Sequence, residues 1–574
     1  MGYTVNHRER ALYVVLFLAM GFTVISMRLV QIMMIDHEKY EDLAIQNHWR
    51  RIELPARRGE IVDCNGNVLA QTQILHDVRL DGRKLKNPTE SLSKIARTLG
   101  LDPRALVNGF DPQNRYWLLK EDVADATITA LKDLKIPNLI YVEKFCRSYP
   151  NSSHASHAIG FLGNQNRGVS GVEKEMDRYL RGIPGERWIE KDGRRQEIAA
   201  YRRKDLPPTD GLTVVLTLDL AIQHVVEEQL DKIMAKYQAS AAYAIVVRPK
   251  TGEILAMANR PTFDPNQRRQ IAVAAMRNRC VTDCVEPGST FKIVTIAGAL
   301  NEKLISLDTP VYCENGSFFY GGHYLRDHEP YGMLSVEQVL ANSSNIGTAK
   351  IALEQLHDDR LYEYVTAFGF GRPTGVFSGQ SEAAGILRPL SKWSKLSVTR
   401  VCIGQEVAAT PMQMIMAMSA IANGGRLMAP RLIKQVNDSS GKPLEIYPPK
   451  VLRQVIAPET AGQVAQALMS VVSDNGTAPK AKVPGFSVAG KTGTAQKFIN
   501  GNYSREKYLS SFIGFLPVED PQFVVLVMVD EPKGREYYGG QVAAPAFSEM
   551  SQQIAQYLNL VPNSSIAMGG KQGL

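Results

Sequence analysis

What this chain lacks narrows its class before any motif is read. Only six cysteines stand in 574 residues (Cys64, Cys146, Cys280, Cys284, Cys313 and Cys402). None shows paired zinc-type spacing; Cys280 and Cys284 lie four apart with no histidine nearby. A domain of this size does not depend on disulfides, so mostly buried free thiols are expected. No metal site and no organic cofactor is implied. There is no concentrated basic block with interleaved aromatics, which removes support for nucleic-acid binding. Internal repeats and long low-complexity segments are also missing, and with them the case for a repeat array. The formal charge of +8 is a mild bias that suits an anionic membrane or wall polymer nearby.

Long apolar runs are scarce too, and the one present is informative. Ala11 to Met27 is uncharged and mostly apolar, and after Arg28 the run continues from Leu29 to Ile35 apart from Gln31. That is enough for the roughly twenty residues a spanning helix needs. Arg8 and Arg10 precede it and Asp36, Glu38, Glu41 and Asp42 follow, which favours an N-terminus inside. No small-x-small cleavage site closes the run, so it reads as an uncleaved single-pass anchor in the cytoplasmic (inner) membrane. The rest of the chain is then extracytoplasmic, or periplasmic.

Three short motifs follow in order: Ser289-Thr290-Phe291-Lys292, Ser343-Ser344-Asn345 and Lys491-Thr492-Gly493-Thr494. Each is common by chance, but together they describe an acyl-transfer site. Gly288 allows a tight turn after Glu286-Pro287, and Phe291 to Leu300 is apolar nearly all round, as in a buried helix. On a helix beginning near Ser289, positions i and i+3 share a face, which sets Lys292 beside the serine hydroxyl. Desolvation lowers the proton affinity of a buried lysine, so a neutral Lys292 can take the serine proton. The helix N-terminus offers free N–H groups where an oxyanion would form. A chance Ser–Lys pair on a solvated helix would not have flanks this apolar.

Ser335-Val336-Glu337-Gln338 fits a capping box. Ser343-Ser344-Asn345 interrupts the helix it opens, and the pattern resumes from Ile346 to Leu353. Alone, the Ser/Asn cluster reads as a capped turn. Phe486 to Gly490 approaches the third motif as a strand expected to end in Lys491-Thr492-Gly493-Thr494. Such a strand would present a cation, two hydroxyls and bare backbone to an extended peptide. Gly485 to Thr492 also matches the phosphate-loop pattern G-x-x-x-x-G-K-[ST]. A phosphate loop needs a strand before it and a helix starting at the lysine; Ala478 to Pro484 is a poor strand and Gly493-Thr494 a poor helix start. The nucleotide reading is rejected.

Between anchor and motifs, Asp36 to about Ala56 is charged and helix-like, suggesting a stalk. From Arg57 to about Pro208, short β-like runs alternate with Gly, Asn and Asp turns. A boundary is expected at Lys204 to Gly211. Beyond it Leu212–Thr217 reads as a strand and Ala221–Tyr237 as an amphipathic helix. Ala242–Val247 and Glu253–Met257 make a hairpin about Pro249 to Gly252. Ser511–Phe515 and Phe523–Val529 look like paired strands, and a closing helix runs from Pro545 to about Leu558.

The motif order Ser-x-x-Lys, Ser-x-Asn, Lys-Thr-Gly resembles the penicillin-recognising serine transpeptidases and β-lactamases. The likeness extends along the chain. Pro55 to Gly66 (PARRGEIVDCNG) looks like the opening of the N-terminal module of class B penicillin-binding proteins. Here Cys64 replaces the usual arginine, and Arg57-Arg58 adds a residue near the usual Arg-Gly. Arg147-Ser148-Tyr149-Pro150, His157, Gly160 and Gly171-Val172-Glu173 resemble later blocks of that module. Arg277-Asn278-Arg279 before Glu286, and Asp530 to Lys533 before Tyr538-Gly539-Gly540, match as well. Within class B, Phe368-Gly369-Phe370-Gly371, Thr374-Gly375 and Pro389 to Ser394 are similar to the cell-division type. Phe377 to Glu382 departs from the family's more usual Pro-Gly-Glu, and that region is expected to be shaped differently.

The resemblance implies an α+β fold: an antiparallel sheet sandwiched by helices, a helical lobe and an elongated β-containing pedestal. It divides the chain into a cytoplasmic tail (1–10), the transmembrane anchor (11–35), a dimerisation-type pedestal (36–208), a transpeptidase domain (209–560) and a disordered tail (561–574). It implies a serine D,D-transpeptidase that cross-links peptidoglycan stem peptides ending in D-Ala-D-Ala during septum synthesis and is a target of β-lactams. Ser289 would be the nucleophile and Lys292 its base. Ser343 would relay a proton to the leaving group, and Asn345 would hold the substrate amide. Lys491 would supply positive potential, and Thr492 and Thr494 would hold the terminal carboxylate beside Gly493. Backbone N–H groups of Ser289 and Thr494 would form the oxyanion hole. Tyr537 and Tyr538 are candidates to wall the cleft, and fit core aromatics at a sheet edge equally well. An FtsW-type membrane glycosyltransferase and other division proteins are the implied partners.

The nearest rival is an elongation-type class B transpeptidase. A β-lactamase needs neither anchor nor an N-terminal module of ~170 residues, a domain's worth of chain. A β-lactam sensor would need a cytoplasmic signalling domain, and only about ten residues precede the anchor. Three intact motifs argue against a catalytically dead scaffold.

Overall fold

The computed structural model describes residues 7–41, 49–163, 165–190, 204–270, 272–499 and 501–562. The expected tail at 561–574 therefore lies almost wholly outside the described residues. By their contacts these residues form two units, one within 1–57 and 182–210, the other within 58–181 and 211–574.

The first unit holds the apolar helix His7–Val30, which continues as a π-helical turn Gln31–Ile35. Its large side chains, Phe17 and Phe22 among them, are exposed rather than packed on protein, as a membrane-spanning helix requires. The polar residues at its end satisfy one another: Arg28 donates to Gln31 Oε1 (2.7 Å) and Gln31 Nε2 to Asp36 Oδ2 (3.2 Å). This helix fits a single-pass membrane anchor. The stalk expectation needs correction at its far end, where Trp49–Leu54 is a strand paired antiparallel with Gly185–Glu190, which in turn pairs with Lys204–Leu206. The partner lies more than a hundred residues away in sequence, so the local charge pattern carried no trace of it. Residues 42–48 of the expected stalk lie outside the described residues.

The second unit carries two large sheets. Strands β1 (Ile61–Val62), β2 (Val68–Leu80), β3 (Trp117–Ala124), β4 (Leu139–Ser148) and β5 (Thr213–Leu216) belong to a seven-stranded sheet with β8 (Ile433–Asn437) and β9 (Pro443–Ile446). Its order is β9-β8-β5-β1-β2-β3, with β4 also paired to β2. Three sequence blocks meet beside it in a buried ion cluster. Arg58 Nε and Arg147 Nε each lie 2.7 Å from Glu173, one on each carboxylate oxygen, and Arg58 also reaches Asp177 (2.7 Å).

The central sheet is antiparallel throughout, in the order β7-β6-β12-β11-β10. These strands are β6 (Ala241–Arg248), β7 (Glu253–Arg260), β10 (Ala489–Ile499), β11 (Asn502–Leu516) and β12 (Phe523–Asp530). Strand alternation fixes what covers each face. Phe512 meets Phe547 of helix α7 (Ala544–Tyr557) at 4.7 Å between ring centroids. The next residue, Ile513, points the other way and shares a small cavity with Met414 and Ala417 of α5 (Pro411–Ala422) and with Phe291. Helix α1 (Leu220–Tyr237) packs beside α7 and on β6 and β7. Every residue of β12 but the last is buried, as a sheet covered on both sides demands.

The remaining helices carry the motifs. These are α2 (Lys292–Asn301), α3 (Val336–Ala341), α4 (Asn345–Ile351) and α6 (Pro458–Val472). The expected capping box opens α3 with both hydrogen bonds formed, at 2.9 and 3.2 Å. Strand β10 corrects another expectation: it does not end in the Lys-Thr-Gly-Thr motif but begins two residues before it and runs on to Ile499. Its partner β11 is fifteen residues long and pairs from Phe515 opposite Ala489 to Asn502 opposite Ile499. A long ladder therefore prolongs a strand that looked short in sequence. Lys491 sits inside a strand and no helix starts there, as rejection of the phosphate loop requires. All six cysteines are free; Cys280, Cys313 and Cys402 are buried, Cys64 and Cys146 half-buried and Cys284 exposed.

Candidate active site

Ser289 lies on a 3₁₀ turn, Gly288–Phe291, that leads into α2. Gly288 has φ +55°, and its backbone N–H bonds to Gly404 O (3.2 Å). Thr290 Oγ1 closes the turn by donating to Pro287 O (2.7 Å). The turn presses against β10, since a Cβ on Gly288 would sit 3.6 Å from Ala495 Cβ and 3.8 Å from Thr494 O. From the other side, a Cβ on Gly493 would meet Thr290 Cγ2 at 3.0 Å and Ser511 Oγ at 2.3 Å. Only glycine lets the first and third motifs approach this closely.

Lys292 projects from the start of α2 into the second motif. Its Nζ donates to Ser343 O (2.5 Å) and Asn345 Oδ1 (2.8 Å) and lies 3.2 Å from Ser343 Oγ. The side chain is wholly buried, and that desolvation brings its pKa down to about 7, against a smaller opposing pull from Asp327. A neutral amine has two N–H bonds, which the two carbonyl-type oxygens take up. Its lone pair is then free for a hydroxyl proton.

The Ser-Ser-Asn segment is held in an uncommon shape. Ser343 has φ +59°, a left-handed conformation that costs a non-glycine residue about 1–3 kcal/mol and concentrates at functional sites. Asp327, on the loop before α3, provides the brace. Its Oδ1 accepts from the backbone N–H of Asn345 (2.5 Å) and Ile346 (3.0 Å), and its Oδ2 from Ser344 Oγ (2.6 Å). Ser344 Oγ also caps α4 through the N–H of Gly347 (2.9 Å). Asn345 Nδ2 donates to Arg326 O (2.9 Å), which fixes the amide so that its oxygen faces Lys292.

Lys491 is also wholly buried, and among the described residues its Nζ has no hydrogen-bond partner. Desolvation first, and repulsion from Lys292 second, hold its pKa well below the usual lysine value. Strand β10 is the edge of the central sheet, so one row of its backbone groups is unpaired by sheet neighbours. Thr492 Oγ1 lies 3.1 Å from Thr477 Oγ1, and Thr494 Oγ1 accepts from the N–H of Gly539 (3.0 Å).

All eight residues of the three motifs' expected chemistry thus occupy one region. Tyr537 and Tyr538 belong to an aromatic row: Tyr508 stacks on Tyr537 (4.3 Å), Tyr537 meets Tyr538 at a tilt (4.4 Å), and Tyr538 meets His328 (5.2 Å). The row links the β11 side to the loop that carries Asp327. Sequence reasoning missed Asp327 and His328. Arg326-Asp327-His328-Glu329 reads as an ordinary charged loop, and nothing local marks its aspartate as a cap for a helix eighteen residues on.

Comparison with known proteins gives the family. Residues 242–552 match the penicillin binding protein transpeptidase domain, and residues 53–216 the penicillin-binding protein dimerisation domain. Stage V sporulation protein D of Bacillus subtilis is 34% identical over 574 residues, covering 98% of this chain and 88% of that protein. The peptidoglycan D,D-transpeptidase FtsI of Escherichia coli is 29% identical over 526 residues, covering 89% and 85%. The crystal structure of penicillin binding protein 3 from Mycobacterium tuberculosis, complexed with aztreonam, has a TM-score of 0.70 at 29% identity, covering 90% of this chain and 99% of that one. With its paired dimerisation and transpeptidase regions, the chain belongs to the class B penicillin-binding proteins, a family of peptidoglycan D,D-transpeptidases.

Proposed function

We propose that this protein cross-links peptidoglycan during septum synthesis through an acyl-enzyme on Ser289. The class B D,D-transpeptidase activity comes with the family; the septal role and the residue assignments are the reading advanced here. In it, neutral Lys292 takes the Ser289 proton as the hydroxyl attacks the penultimate D-Ala carbonyl of a donor stem. Backbone N–H groups of Ser289 and Thr494 receive the oxyanion, each such donor contributing roughly 3 kcal/mol in other acyl-transfer enzymes. Ser343 relays the proton to the departing D-Ala. Asn345 spends one amide N–H on Arg326 O and keeps the second for the substrate's amide. Thr492 and Thr494 hold the terminal carboxylate, which also gives the buried Lys491 a counter-charge. An amine of a neighbouring stem then displaces Ser289. Tyr537 and Tyr538 wall the cleft on the side of His328.

The observation that carries this reading is the placement of Lys292 Nζ, desolvated and fixed by Ser343 and Asn345, one helical turn from Ser289. A labelled penicillin should add once to the protein by intact mass, and Ser289→Ala should abolish the adduct. An adduct that persists in Ser289→Ala would sink the assignment. A position in the inner membrane with the N-terminus inside and the catalytic region outside follows from the charges flanking the helix. An FtsW-type glycosyltransferase and other division proteins are the partners this reading assigns. Depletion in the host should give filaments; round cells would instead indicate the elongation role.

A further inference from the structure

A cavity of about 910 Å³ in the second unit lies beside the motifs without including any of their residues. Its lining includes Ala495, Gln496, Lys497 and Phe498, the stretch of β10 that follows Thr494. Along β10 the order is therefore fixed. The proposed carboxylate holders occupy 491–494, the Ser289 turn abuts 494–495, and the cavity opens over 495–498. An extended peptide with its C-terminal carboxylate at the first position and its scissile carbonyl at Ser289 must carry its upstream residues over the third.

The cavity's charges are unevenly paired. Asp283 is shared by two guanidiniums, Arg277 (2.6 Å) and Arg279 (2.9 Å). Glu406 is likewise shared by Arg388 and by Arg400 (2.7 Å). Each cluster retains an uncancelled positive charge. Lys497 adds none, because Asp530 (2.9 Å) and Glu531 (2.8 Å) hold it and Lys507, 3.2 Å from Glu531, balances the second carboxylate. Glu286, which accepts from Tyr503 Oη (3.1 Å) and from the N–H of Glu406 (3.0 Å), offsets one of these two charges and leaves the cavity with an excess of one. Arg277, Arg388 and Arg400 keep 52%, 45% and 39% of their side-chain surface exposed, open to a ligand.

We infer that this cavity is a subsite for free carboxylates upstream in the donor peptide, read by the two arginine pairs. The inference rests on the proposed orientation of the donor at Ser289. The test uses the full chain in detergent and two peptides ending in D-Ala-D-Ala, identical except for a carboxylate or a carboxamide one or two residues upstream. D-Ala release from the carboxylate peptide should be about tenfold more efficient in kcat/KM, the size of one charge-assisted hydrogen bond. The doubly substituted Arg277→Gln, Arg400→Gln protein should lose that preference while handling the carboxamide peptide as before. Equal rates for the two peptides on the unsubstituted protein, which needs no variant to fold, would overturn the inference. So would a preference that survives the double substitution, or one seen only when the peptides serve as acceptors to a preformed acyl-enzyme. Penicillin acylation of Ser289 separates the two levels: its absence would refute the active-site reading, whereas normal acylation without a charge preference would refute the subsite alone.

Discussion

Asp327 holds the backbone of Asn345 by a 2.5 Å hydrogen bond, and the side chain of Asn345 holds Lys292 by one of 2.8 Å. A carboxylate outside all three motifs therefore positions the proposed general base through a single intermediate residue. It also acts through space, since its negative charge raises the pKa of Lys292 against the larger effect of burial. Asp327→Asn keeps the shape and removes the charge. We expect penicillin acylation to slow by about tenfold, the loss of roughly one charged hydrogen bond. The pH midpoint of acylation should move to lower pH, because Lys292 loses a favourable negative neighbour. A purely structural role for Asp327 would slow the reaction without moving the midpoint.

Acylation by the unsubstituted protein should itself follow the protonation of Lys292. Its pKa of about 7 lies far below that of free lysine, so the neutral, proton-accepting form grows as pH rises towards 7 and saturates above it. The rate constant should climb about tenfold per pH unit below the midpoint and level off beyond it, which a pH series of stopped-flow acylation rates would show. Lys292→Ala should lower the rate by a factor of about 10²–10⁴, typical of a lost general base, and flatten the acid limb. An unchanged profile in that variant would place the base elsewhere.

The elements that carry the motifs were legible in the sequence where their signals are local. Ser289 and Lys292 share a helical turn, and Ser335 and Gln338 make a capping box wherever they occur. The hairpin of β6 and β7, the pairing of β11 with β12 and helices α1 and α7 also emerged where alternation or helical periodicity predicted them. What escaped depends on distant partners. The strand Trp49–Leu54 exists through Gly185–Glu190, β10 is prolonged by β11, and Asp327 gains its role only when its loop folds over α4. The arginine pairs of the cavity are similar: Arg388 and Arg400 meet across a chain reversal that brings both to Glu406.

Three blocks quoted for family likeness turn out to share one physical purpose. Arg58, Arg147 and Glu173 form a buried ion cluster, with Tyr149 Oη a further 3.3 Å from the carboxylate. Glu173→Gln would leave two guanidiniums buried without full compensation. We expect a loss of about 3–5 kcal/mol, the usual result of breaking a buried pair from one side. Urea unfolding followed at the tryptophans would register it as a lower midpoint with unchanged slope. The penicillin acylation rate of the protein that remains folded should stay within about twofold, because the cluster lies outside the three motifs; a large fall would reveal coupling to the catalytic site.

The anchor offers a test of a different kind. No residue in the apolar window of Arg10–Ile35 is buried against protein, and the second unit has hydrophobic cores of its own. Removing residues 1–35 therefore takes nothing from those cores, and the shortened protein should be soluble and be acylated by penicillin at its normal rate. Growth is another matter, because catalysis on wall precursors requires export and, in the reading advanced here, a place beside a membrane-embedded polymerase. Two forms separate these requirements. A cytoplasmic form lacking 1–35 should fail to support growth. A form lacking the helix but exported by a cleavable signal peptide should also fail if the helix itself contacts the polymerase. Full growth with that exported form would reduce the helix to an export signal and remove the case for a partner contact within the membrane. Failure of the exported form, with penicillin acylation intact in the same cells, would locate the missing function in the helix rather than in the active site.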